Sequence, residues 1–328
     1  MVWHHATPRP LEGVLGKGPL GVDLFFAISG FLITTRLLRE RERNGKLDVK
    51  RFYARRALRI FPVYYAVLAA YVVRAWLLMP DGPQRSHFLH AVPAYATFTS
   101  NWLVDFAVPF PIVFSFAWSL AVEEQFYAVW PWVVGLRARS RWLVFPALIA
   151  GLALAVHLVV AHRVVALEGL AFKVSFGIAP ALLFGALLAI GVHHPRGFEV
   201  ARRALGHRLG APLALGMVVA LIVMDGSPLL AVQASLALLV LACCLRKDHA
   251  LAPLLEARPV AWIGSVSYGV YLFHVSAITL VKRLLPTQAE NAPLVFALAL
   301  PLSLLAAGLS HRFLERPFMG LGERLRRP

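Results

Sequence analysis

Nine apolar runs of membrane-spanning length recur along the 328 residues, near 20–38, 60–79, 113–136, 142–160, 174–190, 209–224, 228–245, 261–281 and 292–311. A hydrocarbon core of about 30 Å needs roughly 20 apolar residues of helix to cross it. Within lipid every backbone N–H and C=O must be satisfied internally, so only helices and closed barrels span. A barrel demands short segments of alternating polarity; these runs are continuous. The expected fold class is therefore all-α, a polytopic transmembrane helical bundle of about 9–10 spans. Composition agrees: 59% of residues are hydrophobic and 15% charged, against about 25% charged in soluble domains. The stretch 88–104, "HFLHAVPAYATFTSNWLV", carries Pro93, two histidines and several hydroxyls. It reads as re-entrant or surface-lying rather than as a full span.

A net charge of +16 would point to nucleic acid in a soluble protein. Here the basic residues collect in alternate loops. With 36–59 placed in the cytoplasm, the inside loops hold 25 of the 33 Lys and Arg residues and the outside segments hold 7. That bias is the positive-inside rule, and it removes nucleic acid as an expected partner. It sets a cytoplasmic C-terminus with a basic tail over 312–328. No stretch is long enough to form a second soluble domain, so 1–328 reads as a single integral-membrane domain. An outside N-terminus with no preceding span is awkward for insertion. The topology thus predicts one further helix upstream, with residues 1–5 as its outer end. Cys243 and Cys244 are adjacent in an apolar run and read as packing residues, not a disulfide framework.

Polar groups inside apolar spans mark the candidate chemistry, because a carboxylate at mid-bilayer costs several kcal/mol, about 3 or more, unless paired, hydrated or protonated. Glu123 and Glu124 sit within "FSFAWSLAVEEQFYAVWPW". Neighbours on a helix point about 100° apart, so one is expected to face a cavity while the other pairs with an arginine. The alternative is a shifted span that leaves both at an interface. Ser119 lies four residues before Glu123, on the same face. In "RFYARRALRIFPVYY", Arg56 and Arg59 share a face at i,i+3, beside Arg55. Planar guanidinium forks suit phosphate oxygens; an ordinary positive-inside flank with snorkelling side chains fits the spacing equally well.

Asp23 opens the span in "GVDLFFAISGFLI", and its Ser29-Gly30 pair permits close helix packing or backbone approach to a ligand. In "SYGVYLFHVS", Ser267, Tyr271 and His274 recur at helical spacing and share one face. A histidine that deep is functional or hydrogen-bonded to another helix. His4 and His5 are adjacent, lack the spacing of a zinc site, and have no Cys or Asp cluster beside them. A general base at the mouth of a cavity fits them better, since imidazole titrates near neutrality. No metal is expected.

These blocks, "VWHHA", "GVDLFFAISGFLI", "RFYARRALRIFPVYY", "WSLAVEEQFYAVWP", "SYGVYLFHV" and "FLERP", stand in one order along nearly the whole chain. As an ordered set the sequence resembles the membrane-bound acyltransferase family 3. The resemblance implies a ten-helix core, an acyl-CoA donor from the cytoplasm, and often an acceptor on the far side. Its first-helix motif is a basic residue, ten intervening residues and a histidine, typically followed by alanine. His5 precedes Ala6 and is the better match, with His4 next; the basic residue of that motif would lie upstream of Met1. The family's Arg-x-x-Arg pair falls on Arg56 and Arg59, and its acidic block on Glu123 and Glu124.

The implied activity is O-acyl transfer from acyl-CoA, acetyl-CoA being the expected donor, to a hydroxyl of a carbohydrate or glycolipid acceptor. His5 would be the base, Arg56 and Arg59, with Arg55, would hold CoA phosphates, and Glu123 or Glu124 would orient a histidine or the acceptor. No permanently bound cofactor is expected, and the setting would be the cell (inner) membrane. The rival is a proton-coupled transporter or exporter, since intramembrane carboxylates and histidines also build proton relays. Transporters often carry paired half-repeats with broken helices, and no such symmetry is visible. A third reading is a non-catalytic membrane partner whose blocks only pack.

Overall fold

The structure is a computed structural model that describes residues 2–6, 20–106, 108–135, 179–224 and 226–324. Among them there is no strand. The helices are α1 (Val2–Ala6), α2 (Leu20–Asn44), α3 (Val49–Leu78), α4 (Pro83–Ala96), α5 (Ser100–Leu103) and α6 (Ala117–Gly135). After the gap come α7 (Pro180–His193), α8 (Pro195–Leu205), α9 (Gly210–Val223), α10 (Leu229–Leu245), α11 (Ala252–Leu255), α12 (Arg258–Leu284), α13 (Ala292–Ser310) and α14 (Arg316–Arg324). A π-helical turn, His311–Glu315, joins the last two.

Four described helices are long and apolar enough to cross a membrane: α2, α3, α12 and the continuous run Ala292–Leu321 that begins with α13. The pair α8 and α9, bent by 76° at its break, makes a fifth if taken as one span. The helices α7 and α10 are apolar but shorter. The run predicted at 142–160 lies outside the described residues. The protein is thus a helical, multi-pass membrane protein, and its surface has the inverted polarity that lipid selects. Leu77, Leu213 and Trp132 are exposed, while Ser29, Thr34, Glu123, Gln233 and His274 are buried.

Helix boundaries depart from the apolar runs for local reasons. The runs at 20–38 and 60–79 mark only the apolar parts of α2 and α3, which extend through the basic segment to meet near residue 46. Asp48 caps α3, its carboxylate accepting the Arg51 N–H at 2.9 Å. The run at 113–136 becomes helical only at Ala117. Phe114 has φ +65°, a left-handed backbone that no helix accommodates. It is held there by burial among Tyr64, Tyr71, Tyr95 and Phe116. The segment 88–104 forms most of α4 and all of α5. At 14 residues α4 rises about 21 Å, short of a crossing.

Two contacts position the interior. Gly30 of α2 and Gly185 of α7 bring those helices into backbone contact. A Cβ on Gly30 would overlap the Leu182 carbonyl oxygen, and one on Gly185 the Ala27 carbonyl oxygen. Trp130 of α6 donates its indole N–H to Thr34 Oγ1 of α2 at 2.7 Å, fixing α6 against the same helix. Cys243 and Cys244 are free thiols; Cys243 packs beside Ala211 and Ala214 of α9.

Candidate active site

Glu123 is the centre of the buried polar interior. It is 4% exposed on α6, and three helices supply its partners. Ser29 Oγ of α2 donates to Oε1 at 2.5 Å. Tyr127, one turn further along α6, donates its hydroxyl to the same oxygen. Arg56 of α3 lies 3.9 Å away through Nη2, with its guanidinium carbon 3.7 Å from the centroid of the Tyr127 ring. A buried carboxylate needs this kind of saturation, because its charge is stable in low dielectric only when paired and hydrogen-bonded. Arg56 Nε is buried without a hydrogen-bond partner, so the guanidinium has a donor to spare.

These groups line a cavity of about 520 Å³ that also takes in Arg36, Arg59, Glu124, Ser267 and Tyr268. A second cavity, of about 180 Å³, is lined by Arg36, Glu40, Arg55, Arg56 and Arg59. A third, of about 500 Å³, is lined by Arg36, Arg39, Arg43, Arg51 and Arg55. Arg36 borders all three, so they form one run from the carboxylates to the turn between α2 and α3. Along α2 the run from Ser29 to Arg43 rises about 21 Å. Glu40 is held within it by Arg55, 3.4 Å away.

A second polar group lies on α12. His274 is fully buried. Its Nδ1 lies 2.5 Å from the Tyr271 carbonyl, and its ring centroid is 5.1 Å from that of His5. The helix α1 reaches it by packing on α12 and α13, with Ala6 buried against Val295 and Ala299. Tyr271 Oη donates to the Phe116 carbonyl at 2.7 Å and lies 2.5 Å from Ser119 Oγ. Ser119 is one turn before Glu123, so the histidine pair and the carboxylate cavity are joined through α6.

The sequence matches a family model described as "Acyltransferase domain" over residues 1–312. The chain belongs to the acyltransferase domain family. Among curated relatives it is 28% identical over 322 residues to the peptidoglycan O-acetyltransferase OatA of Listeria monocytogenes, covering 92% of this chain and 51% of that protein. It is 30% identical over 342 residues to the putative peptidoglycan O-acetyltransferase YrhL of Bacillus subtilis, covering 94% and 51%. It is 27% identical over 347 residues to the O-acetyltransferase OatA of Staphylococcus aureus, covering 98% and 55%. The chain spans about half the length of the curated relatives it matches. No solved structure matches it.

In this acyltransferase domain the residues singled out from sequence fall into two groups. Ser29, Arg56, Arg59, Glu123, Glu124 and Ser267 share the large cavity; Arg55 lines the two beyond it. His5, His274, Tyr271 and Ser119 form the second group. Among the described residues no histidine lines the carboxylate cavity, and those that meet Glu123 are Arg56, Ser29 and Tyr127. The shared face of Ser267, Tyr271 and His274 is drawn out over about 10 Å of rise, so its two ends serve different groups. His4 lies in α1, and its side chain is outside the described residues. Asp23 stands apart on α2, accepting from Gln233 of α10 at 2.8 Å. Among the described residues no three His, Cys, Asp or Glu side chains gather as a metal site requires.

Sequence reasoning missed Tyr127, Arg36 and Tyr268. Tyr127 was legible as the next member of the i,i+4 series Ser119, Glu123. Arg36 was legible as two turns beyond Ser29. Tyr268, whose hydroxyl donates to the Ile60 carbonyl at 3.1 Å, carried no signal beyond its neighbours.

Proposed function

We propose that the chain catalyses O-acyl transfer from acyl-CoA, with acetyl-CoA as the donor, to a hydroxyl of a carbohydrate or glycolipid. The names of its relatives favour a cell-wall glycan as acceptor. The observation that carries this reading is the arginine-lined run that ends at Glu123 and Glu124. A donor bearing several phosphates and a thin acyl-carrying arm suits such a path, since Arg binds phosphate oxygens through paired N–H groups. Arg36, Arg55, Arg56 and Arg59 would hold the phosphates, and the arm would extend toward Ser29 and Glu124. The basic residues of α2 and α3 would face the cytoplasm, the source of acyl-CoA, with the C-terminal tail on the same side of the cell membrane.

His5 acts as general base on the acceptor hydroxyl. It takes the proton as the hydroxyl oxygen attacks the thioester carbonyl carbon. The C–S bond breaks as the new C–O ester bond forms, and the leaving thiolate takes up the proton. Holding the donor thioester and the acceptor hydroxyl together beside His5 supplies much of the rate. Glu123 keeps Arg56 aligned along the donor path.

The test is transfer of label from acetyl-CoA in membranes holding wild type, Glu123→Gln or His5→Ala. Label should appear on glycan with wild type and fall by about 100-fold in both variants. Equal transfer by all three overturns the assignment of roles. Flux driven by a pH gradient without acylation would favour the transporter instead.

A further inference from the structure

Arg74 is a charge inside a membrane-spanning helix that the donor path does not use. It lies on α3 about 22 Å along the helix from Arg59, toward the opposite end of the span. Its Nε is buried and has no hydrogen-bond partner. Its guanidinium carbon lies 5.5 Å from the centroid of the Tyr71 ring. Among the described residues no carboxylate pairs with it, and Asp81, the acid nearest in sequence, is held by Arg85. A cation within a span is costly unless something answers its charge, so an intramembrane arginine marks a binding function.

Two hydrogen bonds fix where it stands. Tyr268 of α12 donates to the Ile60 carbonyl of α3 at 3.1 Å, and Ser276 of α12 donates to Tyr71 Oη at 2.9 Å. The helices α3 and α12 therefore run side by side in the same direction. Arg74, about one turn past Tyr71, stands at the level of the turn of α12 that follows Ser276. That turn carries Ala277, Ile278 and Val281, which form one buried cluster with Ala6 of α1. Arg74 and the His5 end of α1 thus meet α12 at one level. A snorkelling arginine carries its head out to the interface; here the root of the guanidinium is enclosed, on the Tyr71 face that turns toward α12.

We infer that Arg74 binds an anionic group of the acceptor, a carboxylate or phosphate carried on the glycan near the hydroxyl that is acylated. The inference rests on the glycan-acceptor reading given above and narrows it to anionic glycans. The guanidinium fork matches the paired oxygens of either anion. The arginines of α3 then divide by depth: Arg56 and Arg59 serve the donor at one end of the span, and Arg74 serves the acceptor at the other. Arg85 is the contrasting cation near that second end, since Asp81 and the Trp76 ring already occupy it.

The test is binding of three chitooligosaccharides of equal length, one neutral, one carboxymethylated and one phosphorylated, to the purified chain in phosphatidylcholine nanodiscs. Wild type should bind at least one anionic sugar about 10- to 100-fold more tightly than the neutral one. Arg74→Gln should abolish that preference and leave the neutral sugar within about twofold. Arg74→Lys, which keeps the charge without the fork, should retain part of it, and Arg85→Gln should retain all of it. No preference in wild type, a preference that survives Arg74→Gln, or an equal loss in Arg85→Gln would each overturn the inference. Wild type alone gives a reading free of folding effects: its preference should shrink as ionic strength rises, and a preference indifferent to salt would overturn the inference. Nanodiscs containing phosphatidylglycerol separate the acceptor from bulk lipid. If Arg74→Gln changes only a melting temperature that depends on phosphatidylglycerol, with sugar binding unaltered, Arg74 serves a lipid headgroup and the inference fails. Acetyl transfer to the same sugars distinguishes the two readings. An anionic preference without any transfer fails the activity reading and not this one; transfer without the preference fails this one alone.

Discussion

Ser29 Oγ and Glu123 Oε1 lie 2.5 Å apart although 94 positions separate them in the chain. That bond ties α2 to α6 at the level where Arg56 enters from α3. One oxygen of Glu123 thereby serves a serine, a tyrosine and an arginine.

Glu123→Gln and Glu123→Leu should part company in stability. Glutamine keeps an oxygen for the Ser29 and Tyr127 hydroxyls, so its melting temperature in detergent should fall by only a few degrees. Leucine strands both hydroxyls and the Arg56 guanidinium, at a cost of about 3–5 kcal/mol. Equal stability of the two variants would remove Glu123 from the centre of the network.

The Gly30–Gly185 contact sets how near α2 and α7 approach, and with it where Ser29 stands. Gly30→Ala and Gly185→Ala each force a methyl group into a backbone carbonyl. Each should cost about 1–3 kcal/mol and reduce acyl transfer. Gly216→Ala meets open space and should be neutral or stabilising by up to about 1 kcal/mol. Thermal unfolding of the three variants checks the contrast.

How much of this was readable beforehand follows from what each signal depends on. Glu123, Arg56, Ser29 and His274 stand out because a polar group in an apolar run is costly wherever it points. Their grouping was not readable, since it depends on how α2, α3, α6 and α12 cross. The structure buries Glu123 against Arg56 and leaves Glu124 half-buried, with both carboxylates lining the same cavity. Tyr127 continues the four-residue spacing of Ser119 and Glu123, but an aromatic residue in an apolar span reads first as packing. Arg36 shares the Ser29 face two turns on, but as the first of many charges in the basic segment it reads as an ordinary flank. The late start of α6 was hidden because the left-handed turn at Phe114 is imposed by the aromatic cluster around it and not by local propensity.

Arg36 borders every cavity along the proposed donor path. Arg36→Ala should raise KM for acetyl-CoA by about tenfold, the worth of one charge-assisted hydrogen bond, and leave kcat within about twofold. The effect should shrink as ionic strength rises, because salt screens the same attraction in wild type. Steady-state kinetics at low and high salt measure both.

Gln233 holds Asp23 across α10 and α2. Gln233→Leu removes that donor and should destabilise the protein by about 1.5–3 kcal/mol. Replacing both residues by Leu should recover part of the loss, since no polar group is then left without its partner. Double-mutant unfolding decides this; additive losses would mean that the pair contributes nothing as a pair.

The most direct test of the account is equilibrium binding of labelled acetyl-CoA to the purified chain in nanodiscs, compared with an Arg56→Ala/Arg59→Ala double variant. The account predicts saturable binding by wild type and a dissociation constant raised by about 100-fold or more in the variant. Binding of equal strength in both, or none in wild type, would contradict it.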